Sequence, residues 1–214
     1  MNILVFLGSV RTTTPPRPAR LGARVAAACK RLLNARDHSA TVVDPLEFDL
    51  GGAFKPHFSY ASGKAPDGLA KMSQAIEAAD GYVMVSPEYN HAMSPALAHL
   101  LNHFGASLYS FKPSAIVTYS AGQWGGARAA VNMRTFLSEL GCLPVSAMVH
   151  IPKAQDVLTE DGAWLSDAKR WDGYVGRTLS QLEWWAEAAR RQRAEGDAEP
   201  TKAFNKDPSQ RNAP

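Results

Sequence analysis

The sequence predicts an α/β three-layer sandwich built on a mostly parallel five-stranded sheet. Three observations lead there. Short apolar runs alternate with segments of helical period along most of the chain. Runs such as Ala115-Ile116-Val117 lack polar alternation, as strands covered on both faces do. Three of the strands are followed by polar, glycine-bearing or proline-bearing loops, each leading into a helix.

The elements follow in order. Residues 2–7 read as a strand that stops at Gly8, and residues 19–33 as a helix. Residues 41–43 are a short strand. Residues 68–79 form a helix with Leu69, Met72, Ile76 and Ala79 on one face. Residues 81–86 are a strand and 94–104 a helix; 114–119 are a strand and 127–140 a helix. Residues 143–151 are the last strand, and 167–191 are helical. Strands separated by helices imply right-handed crossovers. Residues 45–66 hold Gly51-Gly52, Pro56, Gly63 and Pro66 without a period, and so long a loop is expected to be a wall or lid. One domain is expected over residues 1–193, followed by a polar, disordered tail at 194–214.

A chain of 214 residues is enough for one well-cored domain. Apolar residues are 45% and charged residues 20%, an ordinary globular composition. The net charge is only +3, part of it from the C-terminal segment, so it argues only weakly for a nucleic-acid partner and none is expected. The run from Ile3 to Leu7 is too short to span a membrane and has no basic leader, so neither a membrane partner nor export is expected, and the default location is cytoplasmic. Cys29 and Cys142 are expected free and buried.

Three loops carry the chemistry. Pro87-Glu88-Tyr89-Asn90 follows the third strand and offers a proline-fixed, aromatic and polar wall for a flat ligand. Gly8-Ser9-Val10-Arg11 follows the first strand and leads, through a proline-rich stretch, to Arg20 and the first helix. Hydroxyls, free N–H groups, the helix N-terminus and Arg11, with Arg17 or Arg20, suit a phosphate. Neither Gly-Lys-Ser/Thr nor Gly-x-Gly-x-x-Gly is present. The third loop, Tyr119-Ser120-Ala121-Gly122-Gln123-Trp124-Gly125-Gly126, has glycines for close backbone approach and Trp124 to cover a ring. All three lie at the carboxyl ends of strands, where open α/β sheets bind ligands. In the doubly wound order 2-1-3-4-5, strands one and three are neighbours whose connections leave on opposite faces. A crevice then opens between Ser9-Arg11 and Pro87-Asn90.

Gly8 to Arg11, Arg20 to Ala26, Pro87 to Asn90 and Gly122 to Arg128 together resemble the NAD(P)H-dependent FMN reductase family, over residues 1 to about 151. Pro95-Ala96-Leu97 followed by Asn102 resembles the helix after the family's Pro-Glu-Tyr-Asn turn. The resemblance implies a flavodoxin-like fold, FMN as cofactor, and NADPH or NADH as hydride donor. It implies a quinone, azo compound, free flavin or metal oxyanion as small-molecule acceptor, and a homodimer or homotetramer. Ser9 and Arg11, with Arg20, would hold the phosphate. Pro87, Glu88, Tyr89 and Asn90 would line one side of the ring, and Ser120, Gly122, Gln123 and Gly125 the other. Such chemistry requires no catalytic side chain of the protein. The proline-rich first loop, with Thr12 to Thr14 where many members have serine, and the Gln123-Trp124 pair depart from the family pattern.

Other features read more plainly. His99 and His103, four apart on a helix, suit a structural or subunit-interface role better than a metal site. Trp184-Trp185 reads as core or interface, and Ser9 lacks the surroundings of a hydrolase nucleophile. The alternatives to a reductase are a flavodoxin-type electron carrier and a flavin-bound regulatory protein. A net charge of +3 disfavours the acidic docking surface of a carrier.

Overall fold

The structure, a computed structural model, describes residues 1–12, 20–48 and 53–195. Residues 13–19 of the first loop, part of the irregular segment at 49–52, and the tail beyond 195 lie outside the described residues.

Five parallel strands form the sheet: β1 (Asn2–Leu7), β2 (Ser39–Val43), β3 (Gly81–Tyr89), β5 (Pro113–Tyr119) and β6 (Leu143–Ile151). A two-residue strand, β4 (Ala92–Met93), pairs antiparallel with the end of β3. The order is β2-β1-β3-β5-β6, which is 2-1-3-4-5 when parallel strands alone are counted. The flavodoxin-like architecture expected from the sequence is therefore the one observed.

Alternation of side chains along each strand divides the core in two. Ile3, Val5 and Leu7 face one side with Val83, Val85, Ala115 and Val117. There they meet α1 (Leu21–Asn34) and α7 (Ala168–Glu195), through Val25, Leu33, Leu179 and Leu182. Leu4 and Phe6 face the other side with Tyr82, Met84 and Ile116. That side is covered by α2 (Asp67–Ala78), α3 (Pro95–Asn102) and α5 (Ala127–Glu139). Every residue of β5 is buried, whereas edge strand β6 exposes Leu143 and Ser146. Central strands thus need apolar residues on both faces, and an edge strand does not. Cys29 and Cys142 are free and buried, as expected.

Short helices α4 (Ala106–Tyr109) and α6 (Ala154–Val157) complete the chain, with single tight turns at Pro45–Glu47 and His57–Ser59. The second turn packs on α3: the His57 N–H donates to the His103 carbonyl at 2.7 Å. Phe54 lies over His103 and His99, with ring centroids 4.9 and 5.9 Å away. The two histidines meet at 3.3 Å between Nε2 atoms, and His103 is fully buried.

Lys112 is the one buried lysine among the described residues. Its ammonium donates to Ile76 O at 2.8 Å, Glu77 O at 2.6 Å and Leu108 O at 3.1 Å. Burial pulls its pKa down to about 8, but two carbonyls in the last turn of α2 and one in α4 use all three N–H groups of the charged form. Replacing it removes all three bonds; the Tyr82 hydroxyl still donates to Ile76 O at 2.9 Å and Leu108 O at 3.2 Å, but Glu77 O loses its side-chain donor. Lys112→Met is expected to cost about 2 kcal/mol and to lower Tm by roughly 6 °C in a thermal melt.

Candidate active site

Leu7, the last residue of β1, is level with Val85 of β3 and Val117 of β5, and β5 runs on to Tyr119. β1 stops there and β3 continues. At the end of β1, the Gly8 N–H donates to Val85 O at 2.7 Å. A Cβ on Gly8 would stand 2.6 Å from that same oxygen, so only glycine lets the first loop turn against β3.

Pro87-Glu88-Tyr89-Asn90 departs from the simple strand-to-helix turn read from the sequence. Pro87 to Tyr89 extend β3, with Pro87 opposite Tyr119. Asn90 and His91, at φ 51° and 62°, make a two-residue reversal into β4, closed by Glu88 opposite Met93 and Tyr89 opposite Ala92. Both central residues are left-handed, as a type I′ hairpin requires; Asn tolerates this and His does so under strain. The missing proline N–H costs nothing, since Pro87 lies beyond the last pair with β1. Ser86, fully buried, accepts from the Ser94 N–H at 2.9 Å, and Ser94 in turn caps α3 by accepting from Ala96 N at 3.1 Å.

Glu88 points into the protein. Its carboxylate accepts from the Arg128 N–H at 3.1 Å, the Ala129 N–H at 3.3 Å and Arg128 Nε at 2.7 Å. It is the N-terminal cap of α5, supplied from forty residues away, where the helix has only Gly126 in the capping position. Burial pushes the Glu88 carboxyl up, but the hydrogen bonds from Arg128 and Ala129 outweigh it and hold the pKa below its ordinary value of 4.5.

Arg20, in a left-handed conformation at the start of α1, grips Asp44 after β2. Nη1 and Nη2 donate to the two carboxylate oxygens at 2.7 and 2.8 Å. Nη2 also donates to Ser9 O at 2.8 Å, and buried Nε has no partner among the described residues. Burial pushes Asp44 up, yet the Arg20 and Leu46 hydrogen bonds hold it low. The sequence placed Arg20 at a phosphate; its fork is engaged by Asp44, and it braces the Ser9 loop.

Ser9 is buried, and its side chain meets the Tyr119 hydroxyl at the start of α1, where that hydroxyl touches Gly22. Burial pushes the Tyr119 phenol well up, against the opposing effect of the Ser9 hydrogen bond, so it stays a neutral donor and acceptor. The sequence placed Tyr119 at the start of the third loop without a role of its own, because a tyrosine ending a buried strand reads as core. Arg11 is half-buried in the first loop.

The third loop is held by its own first residue. Ser120 Oγ donates to Gly122 O at 2.8 Å and accepts from Gly125 N at 2.9 Å. Lys153 N donates to Gly122 O at 2.9 Å. Gly125 and Gly126, at φ 61° and 77°, pass so close to His150 and Thr118 that a Cβ would fall within 2.9–3.1 Å of them. Gly122 has open space where its Cβ would be, and Gln123 and Trp124 are exposed at the tip. Trp124 is 64% exposed, and Arg128 Cζ lies 5.9 Å from its ring centroid.

Hydrogen bonds therefore connect the first loop to β3, to β5 and to α1, and connect the hairpin to α5. Asn90 and Gln123 lie at tips outside this network. The donor set suits an anionic, flat cofactor. Ser9, Arg11, the buried Arg20 Nε and the helix start are donors, while both nearby carboxylates, Asp44 and Glu88, are tied to guanidinium groups. A cleft of about 980 Å³ lies elsewhere, between Met1, His38, Asp80 and Trp184 at the opposite edge of the sheet. Its charges pair with one another, as in Arg36–Glu183 at 3.2 Å and Arg191–Glu187 at 2.7 Å.

The strand order defines a doubly wound, flavodoxin-like protein, with hydrogen-bond donors gathered at the switch point of its sheet. Residues 1–156 match the NADPH-dependent FMN reductase family, and the chain belongs to that family. It is an NAD(P)H-dependent, flavin-using oxidoreductase. It is 31% identical over 129 residues to an NAD(P)H-dependent FMN reductase of Pseudomonas aeruginosa, covering 58% of this chain and 69% of that one. It is 30% identical over 103 residues to an NADPH azoreductase of a Bacillus species, covering 48% of this chain and 56% of that one. Its fold is similar to that of FerB, a flavoenzyme NAD(P)H:(acceptor) oxidoreductase of Paracoccus denitrificans. The TM-score is 0.66 at 19% identity, over 86% of this chain and 97% of that one. No helix among the described residues is long and apolar enough to cross a membrane.

Glu88 gives a pH test. A depressed carboxyl contributes stability that is present above the unfolded pKa and is lost as pH falls through the folded one. Stability should therefore decline below about pH 4.5. Glu88→Gln should be less stable at pH 7 by about 1 kcal/mol, the ordinary worth of a helix cap. Its denaturation midpoint should also fall less steeply with acid than that of the wild type.

Proposed function

We propose that the crevice between Ser9-Arg11 and Pro87-Asn90 binds FMN. Ser9, Arg11 and the start of α1 take the phosphate. Arg20 acts on that site by fixing the Ser9 backbone and neutralising Asp44. Pro87, Glu88, Tyr89 and Asn90 form one wall of the ring site, and Ser120, Gly122, Gln123 and Gly125 the other. The observation that carries this reading is the convergence of donors at the switch point, with both nearby carboxylates neutralised.

FMN held there would supply the hydride and electron chemistry between NADPH or NADH and a small-molecule acceptor. A quinone, azo compound, free flavin or metal oxyanion fits that role. The protein's part is positional. The hairpin is held by Glu88 on α5, and the third loop by Ser120, so their backbone groups are fixed before any ligand arrives. Tyr119 keeps its proton and steadies Ser9. No side chain has to act as acid or base. We further propose a cytoplasmic homodimer or homotetramer, in which the face of α3 bearing His99 is the interface.

The purified protein is expected to be yellow, and anaerobic NADPH should bleach its flavin absorption. A colourless protein that takes up no added FMN would end this reading. Arg11→Ala is expected to weaken FMN binding about tenfold or more, the worth of a charge-assisted phosphate contact. Tyr89→Ala, made separately, should lower occupancy or turnover. Full flavin content and activity in both variants would place the cofactor elsewhere.

A further inference from the structure

We propose that Trp124 and Arg128 recognise the 2′-phosphoadenosine end of NADPH, with the indole stacking on the purine and the guanidinium taking the 2′-phosphate. The inference rests on the flavin-and-nicotinamide reading of the crevice and assigns a specificity site at its rim. Trp124 exposes 64% of its surface, on a loop whose backbone is pinned by Ser120 Oγ and by Lys153 N. A large aromatic on a fixed base offers a stacking face with little ordering cost on binding.

Arg128 is similarly poised. Its Nε is held by Glu88 Oε1 at 2.7 Å, which orients the guanidinium. The opposite edge, Nη1 and Nη2, makes no hydrogen bond among the described residues, and the side chain is 48% exposed. Cζ lies 5.9 Å from the Trp124 ring centroid, so cation and flat face are presented together. The Glu88 charge does not cancel this cation fully, because the carboxylate also accepts two N–H groups of the α5 terminus. A planar ring carrying a phosphate matches the pair: the fork bonds the phosphate bidentately, and the indole covers the ring. An arginine beside a dinucleotide crevice is a general means of accommodating the 2′-phosphate that NADH lacks.

The test is calorimetric titration of the purified protein, supplied with FMN, with 2′,5′-ADP, 5′-AMP and anthraquinone-2-sulfonate. The wild type should bind 2′,5′-ADP about tenfold or more tightly than 5′-AMP. Arg128→Ala should abolish that ratio, and Arg128→Lys, which keeps the charge and loses the fork, should retain part of it. Trp124→Ala should weaken both nucleotides and keep the ratio. A wild type that does not discriminate, or an Arg128→Ala variant with the wild-type ratio, overturns the assignment. So does a defect confined to the sulfonated quinone, which would make this the acceptor's site. Thermal melts of the two Arg128 variants separate loss of recognition from loss of the Glu88 brace. Protein that takes up no FMN yet discriminates supports this assignment and refutes the proposed function. Flavin-loaded protein that does not discriminate does the reverse.

Discussion

The central strands β1, β3 and β5 are enclosed by helices on both faces, and this burial governs where the protein can keep polar chemistry. A charged or hydroxyl group in mid-strand would have to be paired inside the core. Polar residues are instead gathered where the strands end and the helices have yet to begin. Helix N-termini there leave N–H groups to be satisfied, and loops are free to bend around a ligand. The doubly wound order adds a gap at that edge, because the connections from β1 and β3 leave on opposite faces.

Most of the charge at this edge is spent on holding the loops. Asp44 and Arg20 tie the first loop to the end of β2, and Glu88 and Arg128 tie the hairpin to α5. Ser120 closes the third loop on itself. Close-approach glycines set the spacing: Gly8 under Val85, Gly22 under Tyr119, and Gly126 over Thr118. These contacts leave backbone donors and a few exposed side chains to meet ligands. That division suits a protein whose difficult chemistry belongs to a cofactor.

Much of the fold was legible in the sequence. Uninterrupted apolar runs identified the five parallel strands, and helical period identified the helices between them, with bounds that agree to within a few residues. β4 and the extension of β3 were not legible. Pro87 argued for a strand end, and nothing local signals that the next two residues continue pairing. The turn also uses Asn90-His91 in place of the usual glycine-bearing pair. The candidate site was read as loops and motifs, while the partners of its charged residues were not legible. Glu88, expected at the ring, also caps α5. Arg20, expected at a phosphate, is also held by Asp44, a residue with no distinguishing local signal. Tyr119 read as the end of a strand.

The sequence by itself determined the layer order and the family, and pointed to one edge of the sheet as the candidate site, because periodicity and loop motifs are local properties of the chain. Only the tertiary structure decided which charged residues brace the frame. That depends on pairs such as Glu88 with Arg128 and Arg20 with Asp44, distant in sequence and joined only when the strands take their order.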